Sequence, residues 1–214
     1  MKKFLSFFIL IMIACVVFSS CSVSTPKHKT SVTSSDVALL TLFTFDGKKE
    51  SKFGLFNLGH SFLSVENISS ETITIGKVEV APNETISIGT WSIKAHFGVW
   101  YNVESNYIKD YNKYDGRISI TAGISSEDTE KMNKFILAHD YWSPTNNCSN
   151  FALNLWNTVA EEDEELVRPF IYSPSKIAKA LKNFEGYETN REIKTSDKFF
   201  YIDENTPKYF ELEV

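Results

Sequence analysis

The order of its segments predicts an α+β domain built on a mainly antiparallel sheet. Three observations carry this. Short β-prone apolar runs, separated by Gly, Pro, Asn and Asp, follow one another from Val37 to Thr121. From Ser125 the apolar spacing changes to the helical period. Strand-like runs then return at Phe199 and Tyr209.

Taken in order, Val37–Phe45 (VALLTLFTF) predicts a strand that stops at the turn pair Asp46-Gly47. Gly59 and His60 open a second strand, HSFLSVEN. Thr72–Val80 and Thr85–Trp91 predict two more, divided by Ala81-Pro82-Asn83, and Val99–Val103 and Arg117–Thr121 read as strands as well. Ser125 or Ser126 caps a helix whose first turn holds Glu127, Asp128 and Glu130, acids that favour the positive helix end. Met132, Phe135, Ile136 and His139 share one face of it, and His139 falls where a C-terminal cap belongs. Pro144-Thr145-Asn146-Asn147 breaks the chain before a second helix, Cys148–Val159, apolar around most of its circumference and therefore expected to be buried. Ser173-Pro174 starts a third helix with Ile177, Ala180 and Leu181 inward. Phe199–Ile202 and Tyr209–Leu212 complete the strands.

The N-terminus has a separate logic. Lys2 and Lys3 precede an apolar run from Phe4 to Phe18 and the small residues Ser19 and Ser20, the layout of an export signal over residues 1–20. The run is shorter than the roughly 20 residues a spanning helix needs. Phe18-Ser19-Ser20-Cys21 resembles the bacterial lipobox, with Phe where Leu is usual. The resemblance implies that Cys21 carries a lipid and anchors the chain to the membrane, on the extracytoplasmic side of the cell envelope. Residues 21–36 hold Ser, Thr, Lys and Pro with little that is apolar, which predicts a flexible tether. Residues 37–214 have the size of a single domain.

Export of residues 1–20 takes two lysines and no acid from a chain of net charge −5, leaving −7. That balance argues against a nucleic-acid partner. The acidic run Glu161, Glu162, Asp163, Glu164 and Glu165 reads as a solvated helix end or loop. No phosphate loop, dinucleotide fingerprint or metal-ligand spacing is visible, so neither a cofactor nor a metal is expected.

Of three cysteines, Cys15 leaves with the signal and Cys21 takes the lipid, so Cys148 is the one thiol of the mature domain. A lone cysteine can be a small apolar packer, but this one follows the capping residues Thr145-Asn146-Asn147. In the first turn of a helix the positive dipole end favours thiolate, and free N–H groups there can bind a developing oxyanion. A thiolate nucleophile needs a base within hydrogen-bond reach. Among His60, His96 and His139, His60 is the best candidate, at a strand start beside Gly59.

Gly59-His60-Ser61-Phe62-Leu63-Ser64-Val65, followed far downstream by Asn147-Cys148-Ser149-Asn150-Phe151-Ala152, resembles the papain-like NlpC superfamily in its circularly permuted order, with the Gly-His strand before the Cys-Ser helix. The lecithin:retinol acyltransferase-like families share that order. The resemblance covers about Gly59 to Asn157. It implies an antiparallel sheet packed on the helix that carries the cysteine, with Cys148 as nucleophile and His60 as general base. It also implies a third, polar residue that orients the imidazole; the candidates are Thr90, by position in a returning strand, and His96, by chemistry. Asn147 is a candidate for the oxyanion site or for the helix cap. Trp91, Trp100, Tyr101 and Trp142 could line a groove, though aromatics at such positions are more often core. The implied activity is hydrolysis of an amide, with peptidoglycan peptides as the expected substrate, or acyl transfer or lipid hydrolysis by the same chemistry. A binding lipoprotein without catalysis is the competing expectation.

Overall fold

A computed structural model describes residues 33–47, 59–160, 165–166, 172–194 and 198–210. The export signal, Cys21 and most of the tether lie outside the described residues, as do Glu161 to Glu164. The chain forms an eight-stranded antiparallel sheet with helices packed against it, a mixed α+β architecture.

The strands are β1 (Asp36–Phe45), β2 (His60–Asn67), β3 (Ile73–Ile75), β4 (Val78–Val80), β5 (Thr85–Ile93) and β6 (His96–Tyr101). Helix α1 (Val103–Tyr111) precedes β7 (Ile118–Ser125), followed by α2 (Ser126–Ala138), α3 (Cys148–Val159) and α4 (Pro174–Leu181). Strands β8 (Glu188–Thr189), β9 (Phe199–Asp203) and β10 (Thr206–Phe210) close the order. The large sheet runs β10-β9-β6-β5-β2-β1-β7-β8.

Strand β2 lies at the centre, with β1 on one side and β5 on the other, and is buried along nearly its whole length. Its alternation sorts its side chains. Leu63 and Val65 join Leu40, Leu42, Ile88 and Ile120 against Met132, Ile136, Phe151, Leu155 and Trp156 of α2 and α3. His60 and Phe62 face the other way, toward Trp91 and Tyr114. Each fully buried large side chain contributes roughly 1.5–3 kcal/mol, so this core fixes the register of β2 and hence the place of its first residue.

The two central helices start where their caps dictate. The Ser125 hydroxyl accepts the Asp128 N–H, and Asp128 returns a bond to the Ser125 N–H. Asn147 Oδ1 accepts the N–H groups of Ser149 and Asn150, at 3.0 and 3.1 Å. Ser173 caps α4, with Pro174 in its first turn.

Three expectations change. Thr72–Val80 is a hairpin rather than one strand: Gly76, at φ +66, turns the chain between β3 and β4, which form a separate two-stranded sheet. Asn133 of α2 pins the hairpin, accepting the Gly76 N–H and donating to the Thr74 carbonyl. Strand β7 is longer than expected because it pairs with β1 from Ile118 to Ser125. The segment expected as a strand over Val99–Val103 ends at Tyr101, and a helix the sequence did not signal, α1, begins at Val103.

Candidate active site

The site forms where the start of β2, the start of α3 and the start of α1 meet. His60 is the first residue of β2 and Cys148 the first of α3. Gly59 makes the entry into β2 possible. Its φ is +77, and an added Cβ would stand 2.3 Å from the Phe45 carbonyl oxygen and 2.8 Å from Pro174 Cβ. The end of β1 and the start of α4 thus pack directly against Gly59.

His60 and Cys148 lie close enough for their charges to couple. His60 Nε2 is bonded to Glu104 Oε1 at 3.0 Å, which leaves Nδ1 to face the sulfur. Glu104 is fully buried in the first turn of α1. Its carboxylate also accepts from Trp91 Nε1 at 2.7 Å and from the Ser87 hydroxyl at 3.1 Å. Room for it comes from Gly89, where a Cβ would lie 2.0 Å from Glu104 Oε1. A buried carboxylate is tolerated only when its oxygens are paired, and here each oxygen has a donor.

Electrostatics follow from this arrangement. Burial alone would push the Cys148 thiol up. The positive charge and hydrogen bond of His60, the Ser61 backbone N–H and the Ser149 hydroxyl outweigh it and bring the thiol down to about 7. Burial alone would lower His60, but the charge and hydrogen bond of Cys148, then those of Glu104, raise it to about 10. Between those values the pair is thiolate and imidazolium, with the Glu104 carboxylate behind it.

The aromatic surroundings hold the imidazole. The Trp91 ring lies 4.4 Å from that of His60, and Tyr114 is stacked on it at 5.6 Å. Tyr114 has φ +59, a left-handed conformation uncommon for a bulky residue and often found at functional sites. Burial, then the charges of Glu104, Tyr107 and Cys148, push its hydroxyl well above the ordinary range, so the phenol stays protonated.

Neither expected third residue contacts His60. Leu63 is opposite Ile88, so continuing that register sets Thr90 opposite Ser61, on the other face of the sheet from His60. The Thr90 hydroxyl is buried and has no hydrogen-bond partner among the described residues. His96 begins β6 and pairs through Nε2 with Asp140 Oδ1 at 2.8 Å, stacked flat on Tyr201. The residue bonded to the His60 imidazole is instead Glu104, carried by the unsignalled helix α1. Asn147 acts as the helix cap: its Oδ1 takes two N–H groups and its Nδ2 donates to the Pro144 carbonyl. The cap takes the N–H groups of Ser149 and Asn150 and not that of Cys148. His139 caps α2 as expected, its N–H and Nδ1 both turned to carbonyls of the last turn. Of the four groove candidates, Trp91 is at the site and Trp100 and Tyr101 are buried.

Among the described residues no group of three or more His, Cys, Asp and Glu side chains could hold a metal ion. A cavity of about 700 Å³ opens at the Thr85 end of β5, over Ile86, Phe200 and Tyr209, away from the thiol. Neither Cys148 nor His60 lines it. Arranged as they are, Cys148, His60 and Glu104 can perform nucleophilic attack on a carbonyl carbon followed by proton donation to the leaving group. Comparison with protein-family models, curated proteins and solved structures returns no match.

Proposed function

We propose that this protein is a lipid-anchored cysteine hydrolase of the bacterial cell envelope, with a permuted papain-like domain that cleaves an amide bond, foremost in peptidoglycan peptides. The observation that carries the reading is the buried Cys148–His60–Glu104 constellation, in which a helix-start thiol faces a doubly supported imidazole. The Cys148 thiolate attacks the scissile carbonyl carbon. The oxyanion that forms is met by the Cys148 N–H. His60 then gives its proton to the departing amine, leaving an acyl-thioester. Water attacks this thioester while His60 takes its proton, and the thiolate leaves as the acid product is freed. Glu104 keeps the imidazole oriented and its cationic form favoured throughout. Esters react by the same steps, so acyl esters are the second substrate class.

Turnover of peptidoglycan fragments, then of acyl esters, tests the reading. Cys148→Ser and His60→Ala should each remove nearly all activity, and the double substitution should cost little more, because the two act as a unit. Full activity in Cys148→Ser with either class would defeat the nucleophile assignment. For the anchor, wild-type protein should partition into detergent and Cys21→Ala should not; membrane retention of the processed Cys21→Ala protein would defeat the lipid assignment.

A further inference from the structure

A run of aromatic rings leads from the imidazole of His60 toward solvent. The Trp91 ring lies 4.4 Å from that of His60, the Tyr107 ring 5.7 Å from Trp91, and the Tyr111 ring 5.9 Å from Tyr107. Burial falls along the run: His60 is buried, Trp91 and Tyr107 are half-buried, and Tyr111 is 41% exposed. The rings therefore make one continuous surface that starts at the candidate site and ends in water.

This surface is held from behind. Trp91 and Tyr107 pack against a small core of Trp100, Val103 and Phe199, and Trp91 Nε1 donates to Glu104 Oε1 at 2.7 Å. Tyr107 and Tyr111 sit one turn apart on α1, so their side chains are neighbours. The helix stops at Asn112, φ 47, and two residues later Tyr114, φ 59, sets its ring against both Tyr107 and His60. A tyrosine in the left-handed region is strained, and such strain persists where packing over-determines it, often at binding sites. Binding surfaces carried by braced helices and strands keep their geometry better than those on loops.

We propose that Trp91, Tyr107 and Tyr111 form a carbohydrate-binding ledge that holds a pyranose ring of a glycan strand, so that the peptide presented to Cys148 is one still attached to its sugar. This rests on the hydrolase reading of the same site and names the part of the substrate held beside it. The chemistry of the ledge selects the ligand. A pyranose gathers C–H groups on its ring faces and carries its hydroxyls around the edge. Those C–H groups are drawn to the electron-rich face of an aromatic ring, while the hydroxyls stay in water. A half-exposed row of rings meets both demands. An acyl chain has no polar edge and gains fully only where water is excluded on every side, which a surface open at Tyr111 does not provide.

Binding is measured without turnover. Full-length protein, in a detergent that has no sugar headgroup, is titrated by calorimetry with a β-1,4-linked N-acetylglucosamine tetramer and, separately, with octanoate. The tetramer should bind the wild type. Tyr111→Ala, at an exposed position the fold does not depend on, should weaken it roughly fivefold, and Tyr111→Phe should keep it, because the ring face remains. No heat from the tetramer, or equal affinity in wild type and Tyr111→Ala, would overturn the ledge. Octanoate binding that Tyr111→Ala weakens while tetramer binding stays unchanged would assign the surface to acyl chains and overturn it as well. In turnover, Tyr111→Ala should raise KM for a sugar-bearing peptide several-fold at unchanged kcat and leave KM for the sugar-free peptide alone. The two readings fail separately. Hydrolysis by a protein that ignores the tetramer counts against the ledge alone, and tetramer binding lost in Tyr111→Ala without hydrolysis of any fragment counts against the hydrolase alone.

Discussion

The described residues hold two histidine–carboxylate pairs, two strands apart in the same sheet. His60 Nε2 meets Glu104 at 3.0 Å, and His96 Nε2 meets Asp140 at 2.8 Å. Each carboxylate uses space kept open by a strand glycine, Gly89 for Glu104 and Gly98 for Asp140. By distance alone the second pair is the better. What separates them is burial and a third partner. The His60 and Glu104 side chains are 9% and 0% exposed; those of His96 and Asp140 are 22% and 34%. A thiol faces His60, whereas His96 is stacked on Tyr201 and its partner Asp140 also accepts the Val99 N–H. One pair therefore acts on a thiol. The other fastens the loop that leads from α2 toward Cys148 onto the edge of β6. A histidine–carboxylate contact is not in itself a catalytic feature; its surroundings decide.

The largest contrast should come from removing each carboxylate. Glu104→Ala leaves a buried imidazolium, the Trp91 N–H and the Ser87 hydroxyl without their acceptor, and should cost about 3–5 kcal/mol in urea unfolding. Asp140→Ala should cost about 1 kcal/mol, since its pair is solvent-screened. Equal losses would erase the distinction drawn between the two.

The glycines give a smaller effect of the same sign. A methyl at Gly89 would collide with the Glu104 carboxylate, whose buried position has no slack, so Gly89→Ala should lose about 1–3 kcal/mol and most turnover. Gly98→Ala meets the ends of two partly exposed side chains that can move, and should lose less than half as much, with turnover kept.

The pH dependence should belong to the first pair alone. His60 lies above its unfolded value of 6.5, so its contribution to stability is complete below pH 6.5 and is lost as pH rises through about 10. Cys148 lies below its unfolded value of 9.0, so its contribution is complete above pH 9 and is lost as pH falls through about 7. Activity needs both charged forms, so kcat/KM should follow a bell with limbs near 7 and 10. His96→Gln, the mildest change, should leave both limbs in place and alter stability by no more than about 1 kcal/mol. A displaced limb in His96→Gln would draw the second pair into the chemistry.

Most of the strands, the capped helix starting at Cys148 and the pairing of Cys148 with His60 were legible in the sequence. Alternating apolar runs and an asparagine cap are local signals. Glu104 was not legible, for a local reason. Helix α1 begins after Asn102, which turns the chain in a left-handed conformation and offers no side-chain cap bond. Without a cap, Val99 to Val103 reads as one continuous strand, and a glutamate just beyond it reads as solvated. A signal did exist one strand away: Gly89, a glycine inside a strand, marks a place where another group comes close. Thr90 failed as the orienting residue because alternation along β5 sends it to the opposite face from His60. His96 has the right chemistry but already serves Asp140.

Cysteine chemistry at this site requires His60 to be a buried cation beside a thiolate. The ring nitrogens of His60, followed by ¹⁵N NMR across pH, report that state without any substrate. The ring should be doubly protonated at pH 8 and lose its proton only near pH 10, and earlier in Cys148→Ala. A neutral ring at pH 8, with a proton lost near 6.5 or below in both proteins, would contradict it.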